Sequence, residues 1–417
     1  MVATLAALWT LLGLLAAATP DPVVPSVPSV PADPGAVVAA RQVPSDGHGL
    51  VEFYQCNRCH EGGGLEAPTP DKACVGCHAH IEDGTFVAPA DVLQRWQTNI
   101  VDLTAVPSLA SIGQRLKRQW IREYLKTPHD LRPGLTAMMP RFAIDDAAAL
   151  AIAQWLVPEE PTVPEDPRWM AWPSRGRRAM ENQGCATCHA LTGTAPLAIS
   201  PVKVPLEKAA LERGMMLAPD LRNVRERFRR EALVAWLMDP SAQKPGTPMP
   251  KLNLSRSDAE DIAAFLLEVP LEAEEPKPVP ERLPVLERRV TFKEVSARVF
   301  HRVCWHCHSE PDLALGDGGP GNTGGFGFAG RGVNLRDYAS IMGGGLDDQG
   351  QRKSLFRKIE SGPLKDTPKI LAHLFARQVE EAGGEVPGVR GMPLGLPSMP
   401  PADIQLVESW IAQGRPE

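Results

Sequence analysis

The sequence is poor in aromatic side chains and carries no excess of positive charge. Only 6% of its 417 residues are Phe, Trp or Tyr, whereas 42 are Pro, and the formal net charge is −6. An acidic balance argues against nucleic acid as a partner. Neither a Ser-His-Asp arrangement nor an HExxH segment is evident. The sequence therefore offers no motif for hydrolytic or zinc-protease chemistry.

Long apolar runs are absent after the N-terminus. Residues 2–18 (VATLAALWTLLGLLAAA) are apolar and uncharged, and they end in three small residues. This pattern predicts a secretory signal peptide at 1–18. No Lys or Arg precedes the run, so an uncleaved membrane anchor stays open, at the lower length limit for spanning. Because no Cys follows directly, we expect no lipid anchor on cysteine.

Cysteine is confined to four copies of one pentapeptide. The first motif is Cys56–His60, the second Cys74–His78, the third Cys185–His189 and the fourth Cys304–His308. CxxCH is the attachment signature of c-type haem, in which two thiols form thioethers and the following His binds iron. We therefore expect four covalent haem c groups. The predicted attachment residues are Cys56, Cys59, Cys74, Cys77, Cys185, Cys188, Cys304 and Cys307, and the predicted proximal ligands are His60, His78, His189 and His308.

Structural zinc, a redox dithiol and disulfides are the alternatives for these cysteines. The first two motifs together form C-x2-C-x14-C-x2-C, which is close to a zinc-ribbon spacing. Zinc does not require a His after each pair, whereas haem does. The chain has only 10 His, so four such placements by chance are improbable. Haem is favoured, and a zinc module at Cys56–Cys77 is the main alternative.

Pro-rich segments predict how the chain is divided. Residues 19–45 indicate an extended tether, and 158–167 and 270–284 indicate acidic linkers. Three haem-bearing units are expected between them, near 46–157, 168–269 and 285–417. The first unit would carry two haems, and the last would contain a long Gly-rich loop at 316–332.

The first two units contain an internal repeat. Residues 107–125 (PSLASIGQRLKRQWIREYL) parallel 219–237 (PDLRNVRERFRREALVAWL). Each copy leads to a Met-Pro pair, at Met139 and Met249, and then to an apolar, Ala-rich helix. Ser255 is predicted to cap the second of these helices.

The order helix, CxxCH, Pro-x-Leu loop, helix, Met-Pro and terminal helix resembles the class I cytochrome c family. The resemblance covers most of the mature chain, in three tandem copies, and the third copy is more divergent. It implies an all-α fold in which the first and last helices of each unit pack together beside the haem. It also implies a Met ligand opposite the proximal His, which raises the haem potential and suits electron transfer.

The resemblance implies one distal ligand in each unit. The interval from Met139 to Trp155 equals that from Met249 to Phe265, so the two methionines occupy matching positions. Met138 is a weaker neighbour of Met139. In the third unit the corresponding aromatic residue is Trp410, and the interval from Met392 fits better than that from Met399. We expect Met392 to be the ligand there, with Met399 and His373 as alternatives.

The first unit has two haems and one clear distal methionine. A helix-like segment before Cys56 assigns Met139 to the first motif. The interval from His78 to Met139 nearly equals that from His189 to Met249, which favours the second motif. We favour the first motif. The other iron would take a histidine or stay open, and the alternatives are His129, His80 and His48; His301 and His306 are not expected to be ligands.

Clustered arginines recur at the same place in the repeat, at 225–230 and at 115–118. Such runs are usually solvated helix faces, and pairing with haem propionates is the alternative. Taken together, the features predict an electron carrier that works outside the bacterial cytoplasm with redox-protein partners, in the periplasm or at the cell surface. The alternatives are a haem enzyme (peroxidase or small sulfur/nitrogen-compound oxidoreductase) with an open iron in the first unit, or a cytochrome subunit of a dehydrogenase or respiratory complex. Membrane association through an uncleaved N-terminus or such a complex stays open.

Overall fold

Helices make up most of the regular structure in the computed structural model. The model describes residues 42–69, 72–100, 106–129, 131–135, 139–160, 171–201, 204–309 and 321–417. The predicted signal peptide, most of the tether, Met138 and the start of the Gly-rich segment lie outside these residues. The mostly helical structure agrees with the expected all-α class. None of the helices in the described ranges is long and apolar enough to cross a membrane.

The helices form three groups in chain order. The first group contains α1 (Gly47–Phe53), α2 (Cys74–Glu82), α3 (Ala90–Asn99), α4 (Ile112–Arg115), α5 (Arg118–Lys126) and α6 (Asp146–Leu156). The second group contains α7 (Pro173–Asn182), α8 (Lys208–Leu217), α9 (Val224–Arg227), α10 (Arg230–Met238), α11 (Pro240–Gln243) and α12 (Arg256–Glu268). The third group contains α13 (Phe292–Val295), which continues as a π-helix over Ser296–Cys304, α14 (Tyr338–Gly343), α15 (Lys369–Glu381) and α16 (Pro401–Ala412).

Four two-residue strands accompany the third group. They form two antiparallel pairs, β1 (Gly324–Gly325) with β2 (Phe328–Ala329) and β3 (Gly345–Leu346) with β4 (Arg352–Lys353). Both pairs lie in the insertion between the fourth motif and α15, which begins with the Gly-rich loop.

The first and last helices of each group pack against each other. In the first two groups a glycine permits the crossing. A Cβ added to Gly47 would overlap the carbonyl oxygen of Ala151, and one added to Gly176 would overlap that of Asp261. In the third group Trp410 on α16 is fully buried, with its ring 5.8 Å from that of Phe292.

Side-chain caps explain where several helices begin. The side chain of Asp46 accepts a hydrogen bond from the first turn of α1, and Asp145 does the same for α6. Ser255 and Asp258 form a reciprocal capping box at α12, which confirms the predicted cap. Such caps satisfy backbone N–H groups that the helix itself leaves without partners.

The two copies of the repeat pair with each other through equivalent residues. Leu116 and Phe228, which occupy the same repeat position, form an antiparallel bridge. Lys117 Nζ donates to the carbonyl oxygen of Arg225 at 2.7 Å, and its counterpart Arg229 donates to that of Gly113. The apolar core consequently runs without a break from the first group into the second, while the third group has its own core.

The third group contacts the first through its insertion and its last loop. The ring of Phe326, between β1 and β2, lies 5.7 Å from that of Phe142. Arg141 Nε pairs with Glu380 on α15 at 3.0 Å, and Arg390 Nη1 donates to the carbonyl oxygen of Arg141 at 3.0 Å. The described residues therefore form one unit in their contacts, and the predicted domain boundaries stay predictions.

Candidate haem sites

All four motifs line one continuous cavity. Its volume is about 1800 Å³, and its wall includes the cysteines and the final histidine of every motif. Pockets for a single drug-sized ligand occupy about 300–1,000 Å³. The cavity is therefore large enough for several bulky groups, and its position explains how an aromatic-poor chain can fold with thin helical cores.

The first and third motifs hold their final histidines in the same way. His60 Nδ1 donates to the carbonyl oxygen of Pro107 at 2.8 Å, and His189 Nδ1 donates to that of Pro219 at 2.9 Å. A carbonyl only accepts, so Nδ1 carries the proton and Nε2 keeps its lone pair for a metal. Burial lowers the pKa of both imidazoles, which favours the neutral, ligating form.

The fourth motif holds its final histidine differently from the first and third. The backbone of Val333 lies close to His308, and Leu335 N donates to the carbonyl oxygen of His308 at 2.6 Å. Nδ1 of His308, however, has no hydrogen-bond acceptor among the described residues, so no carbonyl holds it as Pro107 and Pro219 hold His60 and His189. Burial lowers the pKa of His308 to about 4.

The second motif lies between the first and the fourth. Its cysteines and histidine are on α2, whereas the cysteines of the first and third motifs enter short 3₁₀ turns. The Cys59 thiol is hydrogen-bonded to that of Cys74, and this contact, with burial, raises the pKa of Cys59. On the other side, the ring of His306 lies 6.2 Å from that of His78.

Three of the candidate methionines reach the cavity wall. They are Met139, Met249 and Met392. The sulfur of Met249 accepts a hydrogen bond from Trp236 Nε1 at 2.9 Å. Met399, the alternative in the third unit, is only 4% exposed and packs in the core of the third group, away from the cavity.

The candidate histidines differ in their access to the cavity. His129, His80 and His373 line it, whereas His48 packs its ring against Trp155 and is not among the lining residues. His373 Nδ1 donates to the carbonyl oxygen of Arg390 at 2.7 Å, in the same arrangement as His60 and His189. His373 is therefore placed as an alternative to Met392 beside the fourth motif.

Buried arginines face the cavity where the repeats meet. Arg115 is 8% exposed, and neither its Nε nor that of Arg227 has a hydrogen-bond acceptor among the described residues. Burial lowers the pKa of Arg227 to about 10, and the neighbouring cations Arg115 and Arg132 add to this effect. The expectation of a solvated helix face is therefore wrong for these two side chains. An anionic group in the cavity would supply the hydrogen-bond acceptors that their Nε atoms lack.

These observations fit covalently attached haem. Half-buried pairs of free thiols match the vinyl groups, and two histidines held through Nδ1 match the iron. The apolar cavity matches the macrocycle, and arginines whose Nε atoms lack an acceptor match the propionates. Together they define candidate sites for c-type haem. Residues 173–270, which include the third motif and Met249, match the family model Cytochrome c. No curated protein and no solved structure matches the chain.

The second helical group is thus a cytochrome c domain. A cytochrome c domain implies covalently bound haem c, electron transfer and redox-protein partners. The match covers the second of the three predicted units, so the number of haems and the tandem arrangement belong to the proposal that follows.

Proposed function

We propose that the chain is a tetrahaem c-type cytochrome that carries electrons between redox proteins outside the cytoplasm. The observation that carries this proposal is the single cavity, whose wall contains the two cysteines and the final histidine of every motif. A structural zinc or a redox dithiol needs no such space, whereas porphyrins attached at each motif do.

The contacts between motifs predict an order of haems along the electron path that differs from their order in the chain. The third and first motifs belong to the two repeat copies that meet at Leu116 and Phe228. The first motif meets the second through Cys59 and Cys74, and the second meets the fourth through His78. The proposed path therefore runs third, first, second, fourth, with one end in the cytochrome c domain and the other in the third group.

Bound haem supplies one-electron chemistry, and the chain sets the conditions for it. The cysteines would fix each macrocycle, and the carbonyl groups of Pro107 and Pro219 would orient His60 and His189 towards two of the irons. Apolar walls keep water from the irons and thereby favour the ferrous state. Arg115 and Arg227 are placed to neutralise propionates where the first and third haems approach each other.

We assign the distal methionines by the matching histidine geometry. His60 is held by Pro107 as His189 is held by Pro219, so Met139 belongs to the first motif and Met249 to the third. Met392 serves the fourth motif, with His373 as the alternative. These assignments give His/Met ligation, which suits an electron carrier of raised potential.

The location and partners follow from the same chemistry. Haem attachment of this type takes place outside the bacterial cytoplasm, and the apolar segment at 2–18 supplies an export signal. We therefore propose a periplasmic or surface-exposed protein that docks with a redox-protein donor and acceptor. An uncleaved N-terminus would add membrane association.

The haem count tests the proposal directly. The full chain is produced in a bacterial host with cytochrome c maturation, and haem per chain is measured by pyridine haemochrome and amino-acid analysis. Four haems per chain are expected, and three in a control with Cys185→Ala and Cys188→Ala. Two haems, with one zinc retained by the first two motifs, would refute the tetrahaem proposal in favour of a zinc module.

A further inference from the structure

The second motif lacks an assigned distal ligand, and the fold brings a histidine of the fourth motif to it. His306 lies between the two cysteines of the fourth motif. Its ring centroid is 6.2 Å from that of His78, and the ring planes are inclined at 45°. Both rings line the common cavity.

This separation is the one expected for two imidazoles on opposite sides of one metal ion. An imidazole nitrogen binds a first-row metal at about 2.0 Å and lies about 1.2 Å from its ring centroid, so two such rings have centroids about 6.3 Å apart. The observed distance between His78 and His306 agrees with this value. The separation of the two rings is thus compatible with one iron between them.

The other histidines near the second motif are less suitably placed. His80 is two residues from His78 on α2 and is hydrogen-bonded to Thr85, so it does not reach the opposite face of the same haem. The ring of His129 packs edge-on against Tyr124 on α5, whereas the ring of His306 is next to that of His78. His48 is not on the cavity wall.

We infer that the haem attached at Cys74 and Cys77 is ligated by His78 on one face and by His306 on the other. This inference rests on the proposed tetrahaem function and replaces our expectation that His306 is not a ligand. The second iron would then be closed to small molecules and would have a lower potential than the His/Met haems. It would also be tied to the fourth motif, because His306 directly precedes Cys307.

Replacing the distal histidine tests the ligation. In His306→Ala we expect one haem of the four to become high-spin in the ferric state. After reduction with dithionite this haem should bind carbon monoxide, which raises the carbon monoxide bound by one per chain. Added imidazole should restore the low-spin spectrum. His301→Ala is the matched control, because His301 flanks the same motif and instead bonds the carbonyl oxygen of Arg336. His129→Ala tests the rival ligand, and both controls should leave the spectra unchanged.

A second variant covers the case in which His306→Ala does not fold. His306→Met supplies another iron ligand, so we expect all four haems to stay low-spin. Near-infrared magnetic circular dichroism should then show the loss of one bis-histidine signature and the gain of one His/Met signature. Four haems with unchanged spectra in the His306 variants, or an opened haem in His129→Ala, would overturn the ligand assignment alone. A wild-type chain with fewer than four haems would overturn the proposed function itself.

Discussion

Replacing Trp236 by Phe removes a hydrogen bond from the sulfur of Met249, the proposed sixth ligand of the third-motif haem. The indole Nε1 donates to Sδ at 2.9 Å. A thioether sulfur can bind iron through one lone pair and accept a weak hydrogen bond through the other. Because the N–H group withdraws electron density, the sulfur becomes a poorer donor to ferric iron. The Trp236→Phe variant should therefore have a lower reduction potential at this haem.

The energy of one hydrogen bond limits the size of the effect. A net hydrogen bond contributes about 0.5–1.5 kcal/mol, and about 1.4 kcal/mol corresponds to about 59 mV for a one-electron couple. If the bond formed only in the reduced state, its loss would lower the potential by about 20–60 mV. The Phe ring keeps the apolar contact with Phe228, whose centroid is 6.2 Å from that of Trp236, so little packing should be lost.

The assay is a redox titration of the full holoprotein. The third-motif haem is followed through its sulfur-to-iron charge-transfer band and the NMR signal of the methionine methyl group. Trp120→Phe is the matched control, because Trp120 also lines the cavity but stacks on Tyr124 at 4.9 Å. An unchanged potential in Trp236→Phe, or an equal shift in the control, would refute this reasoning.

Three further substitutions test other parts of the structure. Gly176→Ala should lower the free energy of unfolding by about 1–3 kcal/mol in a denaturant titration, because its Cβ meets backbone atoms of Asp261, whereas Gly343→Ala, in open space, should not. Arg227→Leu should lower one haem potential by up to about 100 mV in a redox titration, because a buried cation opposes oxidation of the haem. Arg256→Leu is the control, since Arg256 is exposed. An unchanged potential in Arg227→Leu, or an equal shift in Arg256→Leu, would contradict the propionate role. Ser255→Ala should cost about 0.5–2 kcal/mol in the same denaturant titration, and Ser255→Thr much less.

Local spacing was enough to predict several features that the structure confirms. The mostly helical class and the cap at Ser255 are examples. Each depends on residues within a few positions of one another, and such patterns are read directly along a chain. The assignment of cysteines and proximal histidines to four haems is equally local and stays a prediction until haem is counted.

Features that depend on distant segments were missed. Val333 lies close to His308, although they are 25 positions apart in the sequence and no spacing predicted this proximity. The spacing of Met399 did not reveal that it packs in the core. Arg115 looked like part of a solvated helix face, and only the pairing of the two repeat copies buries it.

The sequence by itself determined where haem attachment is predicted, since two thiols and a histidine within one short motif form the attachment signature. Only the tertiary structure decided how the four motifs meet, because their contacts join segments far apart in the chain. Cys59 lies beside Cys74, and Leu116 pairs with Phe228. His306 faces His78, although more than half of the chain separates them. Packing of buried surfaces brings such segments together, and no local spacing encodes which of them will touch.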